Sequence, residues 1–189
     1  MGLRVYGNRP LKTLPGQATR PTPARVREAV FNIWQGAIAQ CRWLDLCSGV
    51  GAMGAEALGR SAAVVVGIEQ AGRACTVIAD NWTRIATPDQ TVQVIRGDVV
   101  HKLPTLAGHH FDRIYFDPPY ASELYLPVLE AIAQHQLLAP DGELAMEHAP
   151  QRWQAAEWQQ LLTRVKPLEP YRTKVYGNTA VTFFQTESA

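Results

Sequence analysis

The segment Asp117-Pro118-Pro119-Tyr120 combines a carboxylate, two prolines and an aromatic ring. The Asp117 carboxylate and the Pro118 carbonyl can each accept one N–H of an aromatic amine, which favours a pyramidal nitrogen and directs its lone pair. Proline rings restrict the residues before them, so both acceptors keep fixed directions. Tyr120 offers a face on which an extracted base can stack. These four residues predict a catalytic centre that activates the exocyclic amine of a nucleic-acid base, although the alternative is a simple turn.

A glycine-rich loop lies earlier in the chain, with a G-x-G-x-x-G pattern at Gly49, Gly51 and Gly54. The glycines permit a tight turn and let a ligand lie against bare backbone near the amides of a helix. Nicotinamide cofactors and S-adenosylmethionine both carry adenosine and both use such loops. The pattern alone therefore leaves these two cofactors open.

Three acids near this loop favour S-adenosylmethionine. Asp45 would repel a pyrophosphate but could hold the ammonium of a methionyl group, while its alternative role is a cap for the loop. Glu69 lies about 20 residues past Gly49, where an acid can bind ribose hydroxyls. Asp98 is placed to accept the adenine amino group, unless it only forms a turn. The predicted cofactor residues of these segments are Asp45, Cys47, Ser48, Gly49, Gly51, Gly54, Glu69, Gln70, Asp98, Val99 and Asp117.

Apolar runs alternate with helical windows from residue 42 onwards, which predicts a doubly wound, Rossmann-like α/β fold with a mainly parallel sheet. The predicted main strands cover residues 43–47, 62–68, 91–95, 111–116 and 143–146. An antiparallel hairpin over residues 171–176 and 180–185 closes the fold. Asp117 follows the fourth strand, at the carboxyl edge of the sheet beside the predicted cofactor crevice.

The amino-terminal region is basic, with six arginines and lysines against one acid in residues 1–34. A short β-hairpin over residues 3–6 and 11–14 and then a helix from Thr22-Pro23 to Gly36 are predicted here. A basic end can bind the phosphates of a polyanion, or it can be a solvated face. We expect one domain over residues 1–189, with a basic arm at 1–20, a helix region at 21–40 and a Rossmann-like core at 41–189.

Composition excludes several classes of protein. The chain has 189 residues, of which 47% are hydrophobic and 19% charged, as in folded globular domains. Its three cysteines form no C-x-x-C pair, so neither a disulfide framework nor a zinc site is predicted. No apolar run of about 18 residues is present, and the first residues predict no signal peptide. We expect a cytoplasmic monomer that uses neither a metal nor a membrane.

The sequence resembles class I amino-methyltransferases and, more narrowly, the RsmD family, whose members methylate the 2-amino group of a guanine in 16S ribosomal RNA. The resemblance covers nearly the whole chain. It departs at Cys47 and Ser48, where the family has an aromatic and a small residue. The matching blocks are Arg20-Pro21-Thr22, Arg25-Val26-Arg27-Glu28, Phe31-Asn32, Asp45-Leu46, Gly49-Val50-Gly51, Gly54, Glu56-Ala57-Leu58, Asp117-Pro118-Pro119-Tyr120 and Tyr176-Gly177-Asn178-Thr179.

The resemblance implies roles that spacing could not assign. It places Phe31 and Asn32 near the cofactor, although composition alone would put Phe31 in the core. It also implies that ribosomal RNA, within a small subunit or its assembly intermediate, is the partner of the basic arm. The residues expected to contact this RNA are Arg4, Arg9, Lys12, Arg20, Thr22, Arg25 and Tyr120.

Other functions compete with guanine methylation. The same four-residue motif serves adenine or cytosine methylation in DNA, although no segment for a separate target-recognition domain is evident. The glycine loop also fits an NAD-dependent oxidoreductase. A non-catalytic RNA-binding module is the remaining alternative. No dedicated general base is predicted, so none of the five histidines is expected to be essential.

Overall fold

The computed structural model describes residues 2–14 and 24–186. The chain divides into two compact units, Met1–Asp98 and Val99–Ala189. Strands and helices alternate in both units, which confirms the predicted α/β class. The organisation as one domain stays a prediction. None of the described helices has the length and apolar character that crossing a bilayer would require.

A short hairpin opens the first unit. Its strands are β1 (Arg4–Val5) and β2 (Arg9–Pro10), joined by a 3₁₀ turn over Tyr6–Asn8. The prediction of a second strand over residues 11–14 is wrong. The chain reverses earlier because Gly7, with a φ of 71°, allows a tight turn.

A parallel sheet with flanking helices forms the rest of the first unit. The strand order is β5-β4-β3, and the carboxyl ends of parallel strands share one edge of a sheet. The glycine loop, Glu69 and Asp98 lie at these ends. The elements are α1 (Ala24–Ile33), β3 (Arg42–Leu46), α2 (Ala52–Gly59), β4 (Val64–Glu69), α3 (Gly72–Ile85) and β5 (Thr91–Arg96).

Helix α1 is shorter than the sequence predicts. It ends at Ile33, and Thr22 and Pro23, the predicted start of the helix, lie outside the described residues. Helix α1 contacts the hairpin directly, since Arg27 donates to the Arg4 carbonyl at 2.7 Å, and also through Glu56, a carboxylate of α2 that is only 4% exposed. Glu56 accepts the Tyr6 amide at 2.9 Å, and its carboxylate lies 3.4 Å from Arg27 of α1. This buried carboxylate therefore ties the hairpin and α1 to α2.

The second unit contains a four-stranded arrangement in the order β6-β7-β9-β8. Strands β6 and β7 are parallel, whereas β9 is antiparallel to both of its neighbours, so the predicted closing hairpin is confirmed. The elements are α4 (Val99–Lys102), β6 (Phe111–Phe116), α5 (Tyr125–Gln134), β7 (Leu138–His148), α6 (Ala155–Arg164), β8 (Leu168–Tyr176) and β9 (Thr179–Thr186).

Strand β7 is much longer than the predicted 143–146. Phe111 pairs with Leu138, but Arg113 pairs with Glu143, so the ladder shifts register between these two pairs. The intervening Pro140-Asp141-Gly142 is typical of a turn in the sequence. In the structure it is an irregularity inside β7. Register cannot be seen in a single segment, which is why the early part of β7 was missed.

His148, at the end of β7, is expected to make stability sensitive to acid. It is buried, and this burial holds its pKa below the ordinary 6.5. The unfolded chain therefore takes up the proton first as the pH falls, and the folded state loses stability from about pH 7 downwards. We predict that His148→Gln reduces the difference between urea midpoints at pH 7.5 and 5.5. The exposed His109→Gln serves as control, and an unchanged difference in His148→Gln would contradict the assignment.

Candidate functional site

The glycine loop in the first unit leaves β3 and enters α2. Gly49 and Gly51 have φ values of 57° and 74°, which glycine adopts without strain. A Cβ built on Gly49 would meet no atom within 4 Å, so this part of the loop faces open space. Gly49 is therefore the position at which a ligand could lie against bare backbone.

Gly51 and Gly54 have a different environment from the one the sequence predicts. A Cβ on Gly54 would lie 2.2 Å from Trp82, and one on Gly51 would lie 2.7 Å from the same ring. The Trp82 indole N–H also donates to the Gly51 carbonyl at 2.8 Å. These two glycines make room for a tryptophan of α3, and the sequence-based explanation by ligand approach applies only to Gly49.

Asp45 closes the loop from the end of β3. Its carboxylate is 2% exposed and accepts the Gly54 amide of α2 at 3.0 Å. An acid at the amino terminus of a helix is favourable because it satisfies an N–H and complements the helix dipole. This contact is the one expected of a loop cap, while contact with a methionyl ammonium stays a prediction.

Glu69 lies at the end of β4, where the glycine loop passes. Its two carboxylate oxygens accept the amides of Gly49 at 2.9 Å and Ala71 at 2.8 Å. A carboxylate has about four lone-pair positions, so these two bonds leave acceptor capacity for two further hydroxyls. Glu69 is half-buried. It is thus both a support of the loop and an acceptor beside it.

The other predicted cofactor residues differ in exposure. Gln70 is exposed, Cys47 and Asp98 are half-buried, and Val99 is buried at the start of α4. The Ser48 hydroxyl donates to the Asp45 carbonyl at 2.8 Å, so it serves the loop itself. These residues line the ends of β3, β4 and β5 or follow them directly in the sequence. Their cofactor roles stay predictions.

Phe31 and Asn32 occupy opposite environments on α1. Phe31 is fully buried and stacks on Trp43, with ring centroids 5.1 Å apart and an interplanar angle of 10°. Asn32 is exposed. The core position that composition suggests for Phe31 agrees with its packing, whereas its proximity to a cofactor stays a prediction.

The basic arm uses its cations within the first unit. Arg4 donates to the Asn8 carbonyl at 2.7 Å, Arg9 donates to the carbonyl of Ile85 at 3.1 Å, and Lys12 pairs with Asp80 at 2.7 Å. The bonds of Arg9 and Lys12 position the hairpin on α3, and that of Arg4 lies within the hairpin. Arg25 is exposed at the start of α1, and Arg20 and Thr22 lie outside the described residues. RNA contact by these residues stays a prediction.

The Asp117-Pro118-Pro119-Tyr120 segment follows β6 in the second unit, as predicted. Asp117 and Tyr120 are half-buried, Pro118 is buried and Pro119 is exposed. The Pro119 carbonyl accepts the Ser122 amide at 2.8 Å. The segment is therefore a compact turn that begins directly at the carboxyl end of a buried strand.

Tyr120 is held through its hydroxyl. It donates to the Glu147 carboxylate at 3.0 Å, and its oxygen lies 2.9 Å from the Thr179 hydroxyl. Tyr115 of β6 donates to the other oxygen of Glu147. Glu147 and Thr179 are 1% and 3% exposed. Two buried groups on β7 and β9 thus fix the Tyr120 ring, which restricts its movement and orients its face.

Tyr120→Phe and Tyr115→Phe form a matched pair of variants, because both remove a phenol that donates to Glu147. Each is expected to cost about 1–3 kcal/mol of stability, measured by urea unfolding, since a buried charged acceptor loses a donor. Only Tyr120→Phe is expected to lower turnover, because only Tyr120 belongs to the four-residue motif. Equal turnover losses in both variants would show that the effect is one of stability.

Glu147 and Trp82 were missed in the sequence, and Thr179 was named there only within a matching block, without a role. Glu147 was detectable as a charged residue within the apolar segment Leu144–His148, since unpaired buried charges are rare. Trp82 gave no signal, because nothing in the sequence links it to the glycines. Within the described residues, no group of three or more histidines, cysteines or acids could hold a metal ion.

Comparisons with known proteins cover nearly the whole chain. YlbH of Bacillus subtilis, named "Putative rRNA methyltransferase YlbH", is 30% identical over 179 residues, which are 94% of this chain and 93% of YlbH. The Ribosomal RNA small subunit methyltransferase D of Escherichia coli strain K12 is 26% identical, over 95% of this chain and 84% of its own length.

A solved structure from Escherichia coli, titled "Putative methyltransferase yhhF", has a TM-score of 0.80 and 25% sequence identity over 99% of both chains. This likeness confirms the predicted doubly wound, Rossmann-like fold. The family model described as Conserved hypothetical protein 95 matches residues 3–185. The chain therefore belongs to the Conserved hypothetical protein 95 family, which is the RsmD family that its sequence motifs resemble.

Proposed function

We propose that this protein transfers a methyl group from S-adenosylmethionine to the 2-amino group of a guanine in 16S ribosomal RNA. The observation that carries the proposal is the fixed Tyr120 ring directly after Asp117-Pro118-Pro119. A ring that is anchored by its hydroxyl at a buried carboxylate presents a stable stacking face. The two acceptors for an amine lie in the same segment.

The glycine loop and Glu69 fit S-adenosylmethionine. Gly49 offers open backbone, and Glu69 has capacity for the two ribose hydroxyls of an adenosine. Asp45, buried beneath the loop, adds negative charge that a pyrophosphate would not tolerate but a methionyl ammonium would favour. Relatives among the solved structures include a methyltransferase complexed with S-adenosylhomocysteine. When bound, the cofactor supplies an electrophilic methyl group on a sulfonium.

The chain's own residues act on the amine. The nitrogen lone pair of an exocyclic amine is delocalised into the ring, so the amine is a weak nucleophile. The Asp117 carboxylate and the Pro118 carbonyl each accept one N–H, which turns the lone pair towards the incoming methyl group. As the N–C bond forms, the methyl–sulfur bond of the cofactor would break and leave S-adenosylhomocysteine, and the Asp117 carboxylate can accept the proton that the nitrogen sheds. No histidine is required for this step.

Ribosomal RNA as the substrate rests on the relatives. Their names include a small-subunit ribosomal RNA methyltransferase, and the matches span most of both chains. The motif itself would also serve adenine or cytosine, so the choice of guanine depends on the family blocks in the sequence. The proposal covers two forms of this substrate, free ribosomal RNA and ribosomal RNA within a small subunit or its assembly intermediate.

Transfer of a labelled methyl group to 30S particles that lack the modification tests the proposed function. The purified protein is expected to label the RNA, and digestion is expected to release N2-methylguanosine. Duplex DNA and free nucleosides are parallel substrates. Label that appears only in methyladenine or methylcytosine of DNA would replace the proposal, and the absence of any transfer would end it.

Glu69→Ala is expected to weaken the binding of S-adenosylhomocysteine about 100-fold, because two hydrogen bonds to a charged acceptor are lost. Isothermal titration calorimetry measures the affinity, and circular dichroism verifies the fold. Asp80→Asn, which removes an exposed acid of α3, is the charge-matched control. Equal affinities for Glu69→Ala and the wild type would remove Glu69 from the cofactor site, and preferential binding of NADH would overturn the choice of cofactor.

A further inference from the structure

Edge strand β8 exposes a row of side chains that the proposed reaction does not use. Among the strands that the structure describes, β8 pairs with β9 and lies at the edge. Arg172 and Lys174 are exposed on it, and Tyr176 is half-buried at its end. Tyr171 and Val175 are also exposed, at 39% and 59%. Two cations, Arg172 and Lys174, are thus flanked by the rings of Tyr171 and Tyr176 along this strand.

The register of the hairpin sets the face on which this row lies. Arg172 pairs with Phe183, Lys174 with Val181, and Tyr176 with Thr179. Directly paired residues place their side chains on the same face, and so do residues two apart along a strand. The row therefore lies on the face that carries the Thr179 side chain.

This face leads directly to the proposed amine site. The Thr179 hydroxyl lies 2.9 Å from the hydroxyl of Tyr120. Tyr176 is the neighbour of Thr179 across the ladder, and residues two apart along a strand are separated by about 7 Å. Lys174 and Arg172 therefore continue from Tyr176 at about 7 and 14 Å along β8. The row therefore begins one ladder pair away from Thr179, the residue that contacts the Tyr120 hydroxyl.

The two cations of β8 differ from those of the basic arm. Arg4, Arg9 and Lys12 are occupied by carbonyls or by an acid of the first unit. Across residues 2–14 and 24–186, Lys174 has neither a hydrogen bond nor an ion pair through its side chain, and the Arg172 guanidinium only lies over the Tyr171 ring at 5.7 Å. Within the described residues no acid pairs with Arg172 or Lys174, whereas Lys12 of the arm pairs with Asp80, and Arg4 and Arg9 each give one N–H to a carbonyl.

We propose that Arg172 and Lys174 bind backbone phosphates of the substrate RNA, so that β8 guides the strand towards Tyr120. This inference rests on the proposed function, because it takes RNA as the substrate. Exposed lysine and arginine displace condensed counterions from a polyanion, and the exposed Tyr171 ring adds a stacking face that tolerates any sequence. The contact positions the RNA and carries no information about the base.

The test compares the RNA affinity of the double variant Arg172→Gln/Lys174→Gln with that of the wild type. Fluorescence anisotropy with a 16S RNA fragment is recorded at several salt concentrations. Two lost phosphate contacts are expected to lower the slope of log K against log salt by about 1.4–1.8 and to weaken binding about 10-fold or more at moderate salt. The affinity for S-adenosylhomocysteine and the urea midpoint are expected to match those of the wild type.

Arg164→Gln/Lys166→Gln is the matched control, because it removes the same charge from exposed positions of the same unit. Its slope is expected to equal that of the wild type. A wild-type slope in the β8 variant, or an equal change in the control, would overturn the role of β8. If the wild type binds RNA but transfers no methyl group, the proposed function fails. The slopes of log K against log salt still show whether β8 contacts RNA phosphates. Absence of RNA binding by the wild type would overturn both.

Discussion

Asp117→Ala is expected to lower methyl transfer about 100- to 1000-fold, while the affinity for S-adenosylhomocysteine remains that of the wild type. The size of the effect follows from the loss of one preorganised polar group that acts mainly in the transition state. Asp117 lies directly after a buried strand, and the Pro118 ring restricts its backbone conformation before the substrate binds. Single-turnover kinetics on 30S particles, together with calorimetry, separates the two quantities.

Asp117→Asn is the informative companion variant. Its amide oxygen still accepts one N–H, but it lacks the charge and cannot take the proton that the methylated nitrogen sheds. We expect turnover between those of Asp117→Ala and the wild type, with cofactor affinity unchanged. Wild-type turnover in Asp117→Ala would remove this residue from the mechanism, and loss of cofactor binding would assign it to the cofactor instead.

Gly54→Ala is expected to destabilise the protein by about 1–3 kcal/mol, the usual cost of overpacking a core. Helix propensity alone predicts the opposite sign, because alanine is favoured over glycine in a helix by about 1 kcal/mol. The structure reverses this sign, since a Cβ on Gly54 would lie 2.2 Å from the buried Trp82 ring. Urea unfolding of the wild type and the variant measures the difference.

Trp82→Phe supplies the control, because it removes the outer ring atoms of the indole that the new Cβ would meet. In this background, the cost of Gly54→Ala is expected to fall towards zero or to become a small gain. Coupling of this kind is expected of residues in direct contact. The same cost in both backgrounds would show that Trp82 is not the reason for glycine at position 54.

The sequence predicted those strands, helices and motifs whose pattern lies within a single stretch of the chain. Strand β6 has the predicted bounds because it is a short apolar run, and α3 falls in one of the helical windows because it buries Ala74, Ile78 and Trp82 at a spacing of four. The reaction motif was visible for the same reason, since its four residues are adjacent. Its place after β6 followed from the alternation of strands and helices.

Features that depend on pairs distant in sequence could not be predicted. The Tyr120 hydroxyl meets Glu147 and Thr179, which lie 27 and 59 residues further along the chain. Trp82 fills the space at Gly51 from 31 residues away. The second strand of the hairpin and the start of β7 depend on where the chain reverses and on ladder register. Single-segment patterns contain neither kind of information.

The modification of ribosomal RNA in a deletion strain tests the central claim most directly. Mass spectrometry of 16S RNA from a strain without the gene is expected to show one guanine that has lost its N2-methyl group. A plasmid with the wild-type gene is expected to restore the methyl group, and one with Asp117→Ala is not. A 16S RNA with an unchanged set of methylated guanines in the deletion strain would contradict the account.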